Sequence, residues 1–138
     1  MAAADTNVLL RLLLDDDEEQ ARAARAFLRA HAPLFVSHVV IVEASWVLSS
    51  AYRFSRKQLG DVLNMLLDTD GLAVERPSIV SAALRHFGES SADFSDCLIL
   101  ATAQAAAAAP LATFDRKLAK LSGARHIGTG WPFSSLPA

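Results

Sequence analysis

Leu34-Phe35-Val36-Ser37-His38-Val39-Val40-Ile41-Val42-Glu43-Ala44-Ser45-Trp46-Val47-Leu48 is the stretch that decides the fold. Its first three residues make a short apolar run that suits a strand. Ser37 is a residue type that caps helices, because its hydroxyl can accept an otherwise unpaired N–H of the first turn. The spacing predicts a helix from there to Tyr52. Strand, cap and helix in immediate succession form the unit from which α/β domains are built.

The same alternation extends in both directions. Toward the N-terminus, Glu18 to Ala30 reads as a helix, with Ala21, Ala24, Phe27 and Leu28 at helical spacing and Pro33 beyond its end. A short helix at about Thr6 to Leu14 precedes it. The first strand, Ala2 to Asp5, is weak on propensity because three of its residues are alanines. Toward the C-terminus, Ser55-Arg56-Lys57-Gln58 has the capping-box pattern and opens a helix that ends before Gly71. Leu72-Ala73-Val74 is a third strand and Pro77 to Phe87 a helix. Asp93 or Ser95 starts a long helix expected to reach about Ala109, since alanine is the best helix former. Leu111-Ala112-Thr113 is a fourth strand, Arg116 to Leu121 a short helix, and His126-Ile127 a fifth, edge strand. The expected architecture is a single three-layer α/β/α domain over residues 1–138, around a central, mostly parallel sheet of four to five strands.

Composition narrows the class. A chain of 138 residues fits one domain, long enough to bury on the order of 70% of its unfolded surface. At 52% hydrophobic and 20% charged residues it is globular rather than disordered. The formal net charge of −2 neither advertises nor excludes a nucleic-acid partner, because a local basic face is what matters. The lone cysteine, Cys97, lies in an apolar run and reads as a small buried hydrophobe, and no Cys/His pattern suggests zinc. The most apolar stretch, Cys97 to Ala109, is interrupted by Thr102 and Gln104 and stopped by Pro110, short of the roughly 18 apolar residues of a membrane span. With no signal-peptide pattern at the N-terminus, the expectation is a cytoplasmic protein without membrane association.

Four acids stand out against apolar runs: Asp5, Glu43, Asp96 and Asp115. A carboxylate held near a core is costly unless it is paired, hydrogen-bonded or bound to a metal. No Lys or Arg lies within four residues of Glu43 or Asp96. Asp5 and Asp115 both fall at the C-terminal ends of predicted strands, where sites form in open parallel sheets. Glu43 and Asp96 lie in helices that begin at that same edge. All four can therefore meet, and their oxygen-only chemistry selects Mg²⁺ or Mn²⁺, one or two ions, over zinc or copper. Two such ions stabilise both the attacking and the leaving oxygen of a phosphodiester. Singly, three of the acids have a plainer explanation: Asp5 and Asp115 can cap the helices after them, and Asp96 can complement a helix dipole, whereas no cap position or nearby cation explains Glu43. Asp93, three residues before Asp96, shares its helix face and can cap or add an outer contact.

These residues resemble a known family. Asp5-Thr6-Asn7 after an N-terminal strand, Glu43 in the helix after the second strand, Asp93 to Ala103, and Thr113-Phe114-Asp115 look like the PIN-domain ribonucleases. Size and motif order are similar to the VapC-type toxins of bacterial toxin–antitoxin pairs. The likeness runs from about Ala4 to Leu121. It implies a Mg²⁺- or Mn²⁺-dependent endoribonuclease whose acidic quartet is Asp5, Glu43, Asp96 and Asp115, with Asn7, Asp93 and Thr113 supporting the carboxylates. It further implies a homodimer silenced by a cognate, DNA-binding VapB-like antitoxin, and an RNA substrate.

Arg116 and Lys117, next to Asp115, are the strongest candidates among the basic residues for RNA phosphate contact, ahead of Arg11, Arg53, Arg56, Lys57 and Lys120. The run Asp15 to Glu19 reads as a solvated loop and helix start. Trp46, Val47 and Phe54 suit the core, or else a dimer or partner surface. Three rivals bear on the reading. A phosphatase forming an aspartyl-phosphate at Asp5 would want an acid where Asn7 stands. A non-catalytic binding module has no reason to keep four costly acids. An RNA-processing nuclease of the same family without an antitoxin fits the sequence equally well.

Overall fold

The structure, a computed structural model, describes residues 1–128. Five parallel strands and six α-helices alternate along them. In chain order these are β1 (Ala2–Ala3), α1 (Thr6–Leu13), α2 (Glu18–His31), β2 (Leu34–Val36), α3 (His38–Ser50), α4 (Arg56–Asp68), β3 (Leu72–Val74), α5 (Pro77–Gly88), α6 (Phe94–Ala105), β4 (Leu111–Thr113) and β5 (Ala124–His126), with a single 3₁₀ turn over Leu118–Lys120. The α/β expectation holds.

The strands hydrogen-bond in two ladders, β1-β2-β3 and β4-β5. In the first, Ala2 lies opposite Leu34 and Leu34 opposite Leu72; in the second, Leu111 lies opposite Ala124. The weakness of the alanine strand shows in its length, two residues, although Ala4 N still donates to Phe35 O at 3.0 Å. Leu34 and Val36 of β2 are fully buried, and the core continues through Leu9, Leu10, Ile41, Leu48, Leu63, Leu66, Val80, Cys97 and Leu100. Truncating a leucine in such a position costs about 2–5 kcal/mol.

Local chemistry explains where the helices begin. Ser37 Oγ accepts from Val40 N at 3.2 Å and starts α3. At α4 the box is complete: Gln58 N donates to Ser55 Oγ at 3.1 Å, and Ser55 N to Gln58 Oε1 at 2.8 Å. The alanine run misled at the other end of α6, which stops at Ala105 rather than near Ala109. Ala107 takes a left-handed conformation at φ 55°, and Ala108 N reaches back to Ala103 O at 2.8 Å. Propensity loses here because Pro110 disfavours helix in the residue before it. The chain must also turn at once to enter β4.

Arg56 holds the segment that leads into α6. Its guanidinium donates to Phe87 O, Ser90 O and Ala92 O at 2.8–3.0 Å and lies 3.8 Å from the centre of the Phe87 ring. Phe87 in turn meets Phe94 edge-on, with ring centres 6.1 Å apart. The start of α6, with Asp93 and Asp96, is thereby tied to both α4 and α5.

Candidate functional site

Asp5 follows β1 and caps α1, and Asp115 follows β4 and closes the turn that leads into the 3₁₀ segment. Asp5 Oδ1 accepts from Val8 N at 3.0 Å. Asp115 Oδ1 accepts from Lys117 N at 2.8 Å and Leu118 N at 3.3 Å. Capping and a place in an acidic cluster are compatible, because each cap uses only one carboxylate oxygen.

The apolar runs around the acids give a poor guide to their burial. Asp96 and Asp115 are half-buried, but Asp5 and Glu43 are exposed. Helical periodicity is the reason: Ile41, Ala44 and Leu48 turn into the core, while Val39, Glu43 and Trp46 turn outward on the other side of α3. Glu43 therefore bears little desolvation cost. Its one hydrogen-bond partner among the described residues is Thr6, whose hydroxyl lies 3.4 Å from Glu43 Oε2 and links the start of α1 to α3. The sequence gives Thr6 no role beyond its place in the Asp5-Thr6-Asn7 motif, since a threonine after a capping aspartate is unremarkable without the contact.

The electrostatic centre is Asp96. Burial pushes its carboxyl above the ordinary value of 3.8, and the charges of Asp115 and Asp93 and a hydrogen bond with Asp115 push the same way. Among the described residues, no Lys, Arg or His forms an ion pair with Asp96, Asp115 or Asp93. Asp93 stands at the N-cap of α6, yet its side chain makes no capping bond; among the described residues only its backbone oxygen is engaged, by Cys97 N at 3.0 Å. Of the two roles open to this residue, capping does not account for its carboxylate. Thr113 Oγ1 accepts from Asp115 N at 2.9 Å and so fixes the backbone that carries the acid. Asn7 is exposed and lines a groove between α1 and α2 together with Asp5, Val8 and Phe27.

Among the described residues, no three of the His, Cys, Asp and Glu side chains are gathered closely enough to hold one ion together. What the structure brings together is a pair, Asp96 with Asp115, and Asp93 adds its charge. A pair of hard oxygen donors without a counter-charge suits Mg²⁺, which takes one or two protein carboxylates and keeps several waters. Asp5 is engaged locally by Val8 N, and Glu43 by the Thr6 hydroxyl.

Several basic candidates are occupied elsewhere. Arg11 pairs with Asp16 at 2.6 Å and donates to the Tyr52 hydroxyl at 3.1 Å. Arg56 is the clamp described above, and Lys57 pairs with Asp61 at 2.9 Å. Arg116 and Lys117 are exposed and, among the described residues, form no ion pair. The run Asp15 to Glu19 is more than a solvated loop. Asp16 is held by Arg11 and by the Tyr52 hydroxyl, and Asp17 Oδ1 caps α2 by accepting from Gln20 N at 3.0 Å.

A family model described as PIN domain matches residues 2–124. The chain belongs to the PIN-domain family. A curated relative, the VapC ribonuclease of Aquifex aeolicus (strain VF5), is 26% identical over 124 residues, covering 88% of this chain and 92% of the relative. This PIN domain thus spans nearly the whole of that ribonuclease, and the family's nucleases typically use divalent metals. Within the described residues of this PIN domain, no helix is long and apolar enough to cross a membrane.

Proposed function

We propose that this PIN domain is a metal-dependent endoribonuclease that hydrolyses RNA phosphodiester bonds in the cytoplasm, as the toxin of a toxin–antitoxin pair. The observation that carries the reading is the half-buried Asp96–Asp115 pair, which repels itself and Asp93 and has no basic partner among the described residues. A fold does not keep such an arrangement for stability, because each unpaired half-buried carboxylate works against it. The likeness to a VapC ribonuclease over most of both chains supports the toxin assignment. With it come a homodimer and a DNA-binding, VapB-like antitoxin as partners.

In this reading Asp96 and Asp115 are the principal ligands of one or two Mg²⁺ or Mn²⁺ ions, and Asp5 and Glu43 complete the acidic groove. A bound ion supplies stabilisation of negative charge on the attacking and leaving oxygens of the phosphodiester. Asp115 is oriented through its own cap and through Thr113, and Glu43 through Thr6. Asn7 and Asp93 act from the rim. Arg116 and Lys117, beside Asp115 in sequence, are placed to receive RNA phosphates, where cations supply sequence-independent affinity.

The test is cleavage of a mixed RNA pool by purified, antitoxin-free protein with Mg²⁺, Mn²⁺ or EDTA, and an Asp5→Ala variant prepared in parallel. Metal-dependent cutting that Asp5→Ala loses is the expected result. Folded, partner-free wild-type protein that cuts nothing with either metal would leave a binding module instead.

A further inference from the structure

A cavity of about 450 Å³ lies beside the acids, walled by Ser45, Trp46 and Ser49 of α3, Phe54, Arg56 and Leu59 at the start of α4, and Asp93, Phe94 and Ser95 at the start of α6. That volume falls in the range of small-molecule clefts, about 300–1,000 Å³. Two of its walls come from the helices that carry Glu43 and Asp96. Trp46 is three residues after Glu43, and Asp93 three before Asp96, so the cavity is about one helical turn from each acid. On the nuclease reading, that separation is short enough for a nucleotide next to the one whose phosphate meets the acids to reach the cavity.

The lining has the chemistry for one unpaired base. Trp46 is 57% exposed, a high value for an indole, and it lines the cavity. The hydroxyls of Ser45 and Ser50 are bonded to their own helix and that of Ser55 to Gln58 N. Those of Ser49 and Ser95 make no hydrogen bond among the described residues, nor does the carboxylate of Asp93. Single-stranded RNA is read by this combination, a base stacked on an aromatic and hydrogen-bonded along its edge. Arg56 is not a free phosphate ligand here, because its donors are taken by three carbonyls; it keeps the floor rigid.

We infer that this cavity is a subsite in which one RNA base stacks on Trp46, with guanine the preferred occupant. The preference follows from Asp93. A carboxylate only accepts hydrogen bonds, and guanine's Watson–Crick edge offers two adjacent N–H donors. Uracil offers one N–H between two carbonyls, which the same carboxylate repels. The inference rests on the nuclease reading for its biological meaning but not for its physical test.

That test uses the full chain carrying Trp131→Phe, so that Trp46 is the only remaining one of the two tryptophans. Its emission is titrated with guanosine, adenosine, cytidine and uridine, neutral probes that require neither metal nor cleavage. A saturable change, tightest for guanosine and weakest for uridine, and weakened by Ser95→Ala, is expected. In cleavage assays on the RNA pool, Trp46→Ala should raise KM about ten-fold, as loss of one stacking aromatic does, and flatten the base preference beside the cut. Trp46→Phe should restore most of both. No saturable change with any nucleoside, or uridine binding as tightly as guanosine, overturns the subsite. So does a Trp46→Ala protein that loses a dimer while KM and base preference stand, since Trp46 would then be a subunit contact. Guanosine binding without RNA cleavage sinks the nuclease reading and keeps the subsite; cleavage without guanosine binding does the reverse.

Discussion

Two acidic regions of this chain are opposites. Asp15 to Glu19 packs five acids into consecutive positions, and the fold gives its members structural work. Asp16 is bound by Arg11 and Tyr52, Asp17 caps α2, and Glu18 and Glu19 sit in that helix's first turn, where its dipole favours negative charge. Asp96 and Asp115 are far apart in sequence, yet the fold brings them together half-buried, with no ion-pairing cation among the described residues. The hydrogen bond from Tyr52, followed by the bond and charge of Arg11, holds the Asp16 carboxyl below its ordinary value, while burial and like charge hold Asp96 above it. Density of charge in the sequence therefore does not mark a site. The proposed site rests instead on charge that the fold leaves unneutralised.

The sharpest way to break this contrast is Asp96→Asn. Cleavage should fall by about a hundred-fold or more, the scale for removing a preorganised electrostatic group, while thermal stability at neutral pH is unchanged or rises. Wild-type turnover in that variant would remove Asp96 from the site. Magnesium offers a second measurement. Mg²⁺ should raise the Tm of wild-type protein, because a ligand that binds only the folded state stabilises it. It should do so far less for Asp96→Asn combined with Asp115→Asn, and an equal rise in both would place the ion elsewhere.

The pH dependence sharpens the comparison further, with opposite signs. Asp96 has a raised folded-state value, so the native protein holds its proton more tightly than the unfolded chain. Stability is thus lost as pH rises from 3.8 through that raised value. The stability gained by Asp96→Asn should accordingly vanish below that window and be complete above it. Asp16 has a lowered folded-state value, so its contribution is present above 3.8 and disappears as pH falls through the lower value. Unfolding curves of Asp16→Asn and Asp96→Asn across this acid range should diverge from wild type in opposite directions.

On the structural side, Asp17→Ala should cost about 1 kcal/mol, the worth of a helix cap, with cleavage retained. Denaturant unfolding beside a cleavage assay checks both. The smallest effect belongs to Asp15→Asn. Its side chain is 99% exposed, and its nearest cation, Arg25, is 3.9 Å away, so neither Tm nor activity should move measurably.

Much of the fold was legible in local chemistry. The boundaries of β2, β3 and β4, the Ser37 cap and the Ser55–Gln58 box all depend on contacts within a few residues, which a sequence displays directly. The end of α6 was misjudged because five alanines favour helix locally, while the turn into β4 is imposed by Pro110 and the sheet beyond it. In the candidate site, the order and identity of Asp5, Glu43, Asp96 and Asp115 were readable, and with them the likeness to the PIN family. Their exposure was not, because apolar neighbours in sequence occupy other faces of the same helix.

The sequence by itself thus determined the alternation of short strands and capped helices, since propensity, capping and periodicity act over a turn or two. Only the tertiary structure decided which charges remain unneutralised. Arg11 reaches Asp16 and Tyr52 across the α1–α2 corner, and Arg56 spends its donors on the loop before α6. Asp96 meets Asp115, and Trp46 is turned outward beside Asp93. Each of these depends on distances between elements remote in sequence, and electrostatic energy is set by those distances and by burial.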